Sequence, residues 1–193
     1  MPLPAGRLIQ SLSSAPLVNW NCMPDNLFPP APLSATDEAG WFTAHCDGGS
    51  RGNPGPSAYG AVIEDPQGRV VARLSQYLGS QTNNYAEYHG LLAVLAWAAE
   101  NRARRLRVIS DSELMVRQMS GRYKVSSPTL RPLWEEARRR AGRLDGFQMR
   151  HTLRAGNKEA DRLANQAMDS GMGKPVPKPA APAPYSAGEE TRK

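Results

Sequence analysis

Four acidic residues stand where a fold would gather them for chemistry: Asp47, Glu87, Asp111 and Asp161. Asp47 closes an alternating stretch and precedes Gly48-Gly49; Asp111 closes a second apolar stretch. Glu87 lies one turn before Leu91 in a helical pattern, and Asp161 one turn before Ala164 near the start of the last helical pattern. Carboxylates pushed together repel, and removal from water raises the cost, so such a cluster needs a cation. Oxygen donors without a Cys or His alternative favour Mg²⁺ or Mn²⁺ over zinc. Two such ions about 4 Å apart can activate a water and stabilise the leaving oxygen of a phosphodiester. Taken singly, each acid has a plainer role. An Asp at a strand end often forms a turn or caps a helix, and Asp161 would also suit a helix N-terminus.

The elements that must position these acids follow from periodicity. Residues 41–47 alternate, with Phe42, Ala44 and Cys46 on one face, which predicts a strand. Residues 48–56 hold four glycines and two prolines and read as a loop. Residues 58–63 and 69–77 read as two more strands, joined by the turn Asp65-Pro66-Gln67-Gly68. Three strands with short links make an antiparallel meander. Residues 84–101 form the clearest helix, with Tyr88, Leu91, Leu92, Leu95 and Ala98 at helical spacing. A short strand over 106–110 and a helix over 112–119 follow. Then come a helix over 130–143, a strand over 147–152 and a helix over 157–168 whose core side is Leu163, Ala164, Ala167 and Met168. The order βββαβααβα predicts an α/β fold, a mixed five-stranded sheet flanked by helices, with parallel crossovers beside the meander. If the first and fourth strands are parallel neighbours, Asp47 and Asp111 emerge at one edge, the usual ligand crevice of such sheets.

Composition sets the limits. The chain has 193 residues, is 40% hydrophobic and 22% charged, and carries a formal charge of +6. That suits one globular domain, not a wholly disordered chain or a membrane protein. The longest apolar patch, Leu91 to Ala99, is too short to span a bilayer. Two cysteines, Cys22 and Cys46, make no disulfide framework. Proline marks the edges: residues 1–40 hold seven of the 17 and residues 171–193 hold five. Both ends are expected to be extended, disordered arms around a domain over 41–170. Between 41 and 170 there are 19 Lys+Arg against 13 Asp+Glu, so the domain carries the whole surplus and favours an anionic partner, of which nucleic acid is the commonest. The N-terminal arm has no apolar signal core, and a transit-peptide reading conflicts with Pro2 and Pro4, so a cytoplasmic location is expected.

The motif context sharpens the reading of the acids. Asp47-Gly-Gly-Ser-Arg-Gly-Asn-Pro-Gly55, Thr82-Asn-Asn-Tyr-Ala-Glu87, Ser110-Asp-Ser-Glu-Leu-Met-Val116 and Asn157-Lys-Glu-Ala-Asp-Arg-Leu-Ala-Asn165 resemble, in this order, the motifs of type 1 ribonuclease H. The match spans residues 41–168. The resemblance implies the ribonuclease H-like fold and endonucleolytic cleavage of the RNA strand of RNA/DNA hybrids, leaving 5′-phosphate and 3′-hydroxyl ends. It implies Mg²⁺ as cofactor, with Mn²⁺ as a substitute and two ions per site when substrate is bound. Asp47, Glu87, Asp111 and Asp161 then take the metal-binding and catalytic places, and His151, ten residues before Asp161, the proton-handling place. Gly48, Asn53, Thr82, Asn83, Asn84, Ser112, Arg154 and Asn157 fall on substrate-binding places. The amides suit the 2′-hydroxyls of a minor groove, since an amide both donates and accepts. Thr82 and Asn83 also suit helix capping. A monomer acting on RNA/DNA hybrid is expected, with double-stranded RNA as a further candidate substrate and no membrane partner.

Two departures matter. Many relatives carry a Lys- and Trp-rich protrusion after the Asp-Ser helix; here Gly121-Arg-Tyr-Lys-Val-Ser-Ser-Pro runs almost directly into the next helix, which resembles the protrusion-less subgroup. Hybrid binding would then be weaker, or rest on Arg122, Lys124, Arg138, Arg139 and Arg140, although an arginine run on a helix is more often a solvated face. Glu113 occupies a position often held by glutamine. The alternative reading is a non-catalytic hybrid- or RNA-binding module. The complete acid set argues against it, because a binder has no need to hold four repelling carboxylates together.

Overall fold

The computed structural model describes residues 40–174. Most of the two proline-rich arms therefore lies outside the described residues. The elements in chain order are β1 (Trp41–Ser50), β2 (Gly55–Glu64), β3 (Val70–Gln81), α1 (Asn83–Glu100), β4 (Arg105–Ser110), α2 (Glu113–Met119), α3 (Leu130–Ala141), β5 (Gly146–His151) and α4 (Lys158–Gly171), with a 3₁₀ turn at Arg154–Gly156. The order is the expected βββαβααβα. The sheet runs β3-β2-β1-β4-β5. β1–β2 and β2–β3 are antiparallel, and β1–β4 and β4–β5 are parallel.

The loop expected over 48–56 is mostly strand. Gly48, Gly49 and Ser50 continue β1 against Tyr59, Ala58 and Ser57, and the Arg51 N–H donates to the Pro56 carbonyl at 2.8 Å. Only residues 51–54 bridge the strands. Backbone pairing outweighed the weak strand preference of glycine because these residues have a full ladder partner on β2. β3 likewise runs on to Gln81, paired with Gly55. The turn before it is locked by Asp65, whose carboxylate accepts the N–H groups of Gln67 and Arg69 at 3.0 and 2.9 Å.

α1 packs on β1 and β2, with α3 beside it, and α4 covers β1, β2 and β3 on the other face. The core lies under α1 and contains Ala44, Cys46, Ile63, Tyr88, Leu91, Val94, Leu95, Leu106 and Val108. Val94, not Leu92, completes the buried stripe of α1; Leu92 is half-buried. On α4, Ala160 joins Leu163, Ala164 and Met168 inside, and Ala167 is half-buried. Gly60 admits this helix: a Cβ there would lie 2.2 Å from the Ala160 carbonyl oxygen. Ten residues, 120–129, join α2 to α3, with no helical protrusion between them. Among the described residues no helix is long and apolar enough to cross a membrane.

Candidate active site

The parallel pairing of β1 with β4, and of β4 with β5, brings their C-terminal ends to one edge of the sheet. Asp47 lies on β1, Asp111 follows β4, and His151 ends β5 in register with Ser110. α1 reaches this edge because Gly48 has no side chain; a Cβ there would sit 2.1 Å from the Glu87 nitrogen. Thr82 starts α1 by accepting the Tyr85 N–H at 3.3 Å. Asp161 stands in the first turn of α4, where the helix dipole favours a negative charge.

Asp47, Glu87 and Asp161 line a cleft of about 270 Å³, with Gly48, Arg51, Asn83, Arg154 and Asn165 among its other walls. Asp111 adjoins it. Burial first, and then the charges of Asp111, Asp161 and Glu87, push the Asp47 carboxyl well above the usual range. Glu87 is only 8% exposed. Burial is the main cause of its rise to about 7, reinforced by Asp111 and opposed by hydrogen bonds from Ser112 and Asn83. The four acids thus share one electrostatic field. Among the described residues, no three acidic, thiol or imidazole groups converge tightly enough to form a finished metal cage. The oxygens of Glu87 and Asp111 are held by protein donors. Asn83 Nδ2 donates to Glu87 Oε1 at 2.9 Å, and the Ser112 hydroxyl donates to Glu87 Oε2. Asn157 Nδ2 donates to Asp111 Oδ1 at 3.2 Å, and Arg154 Nε lies 3.6 Å from Asp111 Oδ2. The donor set, four carboxylates gathered at one edge of the sheet, fits hard divalent cations.

The other expected residues divide into rim and interior. Asn53 is exposed and its side-chain oxygen accepts the Asn83 N–H at 3.2 Å, tying the 51–54 loop to the start of α1. Asn84 is half-buried beside it. Arg154, with its side chain 89% exposed, overhangs the cleft. His151 is exposed and stands outside the cleft lining. Gly48, Ser112 and Asn157 face inward: Gly48 rests against α1, Ser112 caps α2 and serves Glu87, and Asn157 is tied to Asp111. Ser112 and Asn157 thus have their side-chain partners inside the protein, whereas Gly48 also lines the cleft. Sequence reasoning misses Arg51 and Asn165, which also line the cleft. Asn165, four residues after Asp161 on one helix face, has a readable signal; its Nδ2 donates to the Asp161 carbonyl at 3.0 Å. Arg51 has none, as its placement depends on an ion pair to Asp169 at 2.6 Å.

Glu113 is turned to an ion pair with Arg117. Arg139 and Arg140 both pair with Glu136, and Arg138 stacks over Trp134 at 5.2 Å. Arg139 and Arg140 thus share a single carboxylate, whereas Arg122 and Lys124 are exposed.

Comparison with known proteins agrees with this geometry. A family model described as reverse transcriptase-like matches residues 45–167. A bifunctional protein of Mycobacterium tuberculosis is 47% identical over 125 residues, 64% of this chain but 34% of that protein. The chain therefore matches only about a third of the length of that relative. The N-terminal RNase H domain from this bacterium, solved as a fusion with maltose binding protein, has a TM-score of 0.67 at 44% identity, covering 69% of this chain and 96% of that one. Ribonuclease HI of Halobacterium salinarum is 39% identical over 133 residues, 69% of this chain and 67% of that protein. LC11-RNase H1, solved in complex with an RNA/DNA hybrid, has a TM-score of 0.64 at 36% identity, covering 68% of this chain and 99% of that one. With the sheet order, the four acids at one edge and these matches together, the chain belongs to the ribonuclease H family.

Proposed function

We propose that this chain is an endoribonuclease that hydrolyses the RNA strand of RNA/DNA hybrids, leaving 5′-phosphate and 3′-hydroxyl ends. The observation that carries the reading is the gathering of acids at one edge of the sheet, where burial first and neighbouring carboxylates second raise Asp47 and Glu87 above ordinary acids. A binding module has no use for that cost. The similarity to LC11-RNase H1, which is solved with a hybrid, supports the substrate class.

Asp47, Glu87, Asp111 and Asp161 would hold two divalent ions, Mg²⁺ or Mn²⁺. When bound, such ions supply Lewis acidity to the scissile phosphate and to the attacking water. The chain itself does the rest. Asn83 and Ser112 orient the Glu87 carboxylate through one oxygen each. Asn53, Thr82, Asn83 and Asn84, clustered where the 51–54 loop meets α1, offer amide and hydroxyl groups to sugar hydroxyls and phosphate. Arg154 presents a guanidinium to a phosphate oxygen at the mouth of the cleft. His151, exposed at the end of β5, would pass a proton to or from solvent. Glu113 is neutralised by Arg117 and adds no bare charge against phosphate. The reading is of a monomer in the cytoplasm, compatible with the buried free thiol of Cys46.

The test is cleavage of a labelled RNA/DNA hybrid with Mg²⁺, with Mn²⁺ and with EDTA, beside Asp47→Asn. RNA-strand cuts that require metal and Asp47 are expected. Tight hybrid binding without cleavage under either metal would return the chain to the binding-module reading.

A further inference from the structure

Asn157 touches three of the four acid-bearing segments at once. Its Nδ2 donates to the Cys46 carbonyl at 2.9 Å, next to Asp47, and to Asp111 Oδ1 at 3.2 Å. Its own carbonyl accepts the Asp161 N–H at 3.1 Å. The residue is 2% exposed. Its backbone is fixed in turn by the 3₁₀ turn, the Asn157 N–H donating to the Arg154 carbonyl at 3.0 Å. One side-chain nitrogen thus spans β1 and the end of β4, and one backbone carbonyl starts α4.

The side-chain oxygen shows what the residue is for. Asn157 Oδ1 is buried without a hydrogen-bond partner among the described residues. A buried acceptor left unpaired is costly, and an apolar side chain of similar size would remove that cost. An amide here is therefore held for its two N–H donors. A carboxylate in the same place would add a fifth negative charge beside Asp47 and Asp111 and lose both donors. Packing alone calls for neither.

We propose that Asn157 is a positioning residue that sets the spacing of Asp47, Asp111 and Asp161, and so the affinity of the acid cluster for divalent cations. The inference rests on the metal-dependent reading above. It differs from the substrate-binding role that family resemblance implies, because both donors are engaged inside the protein and the unpaired oxygen is buried away from the surface.

The experiment is a thermal-melt titration of the full chain with Mg²⁺ alone, without nucleic acid, for wild type, Asn157→Ala and Leu163→Val. Leu163 is buried on the same helix and lies outside the cleft lining. Asn157→Ala is expected to raise the Mg²⁺ concentration at half-maximal stabilisation by about 10-fold or more, the range seen when partners of metal ligands are removed. Leu163→Val is expected to lower the melting temperature yet keep the wild-type midpoint. If Asn157→Ala does not fold, Asn157→Ser, which keeps a donor too short to span both acceptors, carries the same comparison. An unchanged midpoint in the folded variant, beside a wild type that binds Mg²⁺ and cuts hybrid, overturns the positioning role alone. A wild type that neither shifts with Mg²⁺ nor cuts hybrid overturns the proposed function, and this inference with it.

Discussion

The Cβ that Gly48 lacks would stand 2.1 Å from the backbone nitrogen of Glu87. Two of the four acids are brought together by that missing atom: β1 carries Asp47, α1 carries Glu87, and the helix backbone rests directly on the strand. Gly48→Ala is expected to cost more than the roughly 1–3 kcal/mol of ordinary overpacking, because the opposing atoms are backbone and cannot rotate away. Gly49→Ala, whose Cβ would meet only Met168 Cε at 3.4 Å, is expected to be nearly neutral. Urea denaturation of the two variants checks the contrast.

The metal-free protein is expected to lose stability as pH rises. Glu87 has an ordinary value of 4.5 and rises to about 7 in the fold, chiefly through burial. Between those values the folded state binds more protons than the unfolded one, so the slope of unfolding free energy with pH is negative. The contribution is fully present below pH 4.5 and is lost as pH passes 7; it amounts to about 3 kcal/mol at most. Asp47 shifts in the same direction and adds to it. Melting curves in EDTA between pH 5 and 8 should show the fall. Glu87→Gln should flatten it, and so should saturating Mg²⁺ in wild type.

Ser112 has two tasks. Its hydroxyl donates to Glu87, and its oxygen accepts the Met115 N–H at 3.3 Å as the cap of α2. Ser112→Ala is expected to cost about 1 kcal/mol through the missing cap, and about 10- to 100-fold in activity through the freed carboxylate. Ser112→Thr, which keeps the hydroxyl, should recover most of the activity. Steady-state cleavage rates beside melting temperatures separate the two effects.

Salt dependence of hybrid binding should single out the free cations. Arg122→Ala with Lys124→Ala is expected to reduce the slope of log affinity against log salt by about 2, one for each phosphate no longer neutralised. Arg139→Ala with Arg140→Ala should reduce the slope less, since the two side chains share the Glu136 carboxylate. Binding titrations with Asp47→Asn, to prevent cleavage, measure this directly.

Periodicity in the chain is enough to foresee the element order and most of the core. The alternation of Phe42, Ala44 and Cys46, the Asp65-Pro66-Gln67-Gly68 turn and the helical spacing of Leu91 and Leu95 are local signals, and local steric preference is what they report. The four acids stand out for the same reason: each sits at the end or first turns of an element whose type can be read from its own residues. Tertiary structure alone decides the rest. Gly48 to Ser50 look like loop but are strand, because β2 supplies a partner that no local pattern announces. Val94 and Ala160 are interior because of what faces them, not because of their own hydrophobicity. Ser112 and Asn157 turn inward because Glu87, Cys46 and Asp111 arrive from distant parts of the chain to accept their hydrogen bonds. A sequence lists donors and acceptors; which ones meet is set by the sheet order β3-β2-β1-β4-β5. That order depends on pairing between residues far apart in the chain, where local propensity has no influence.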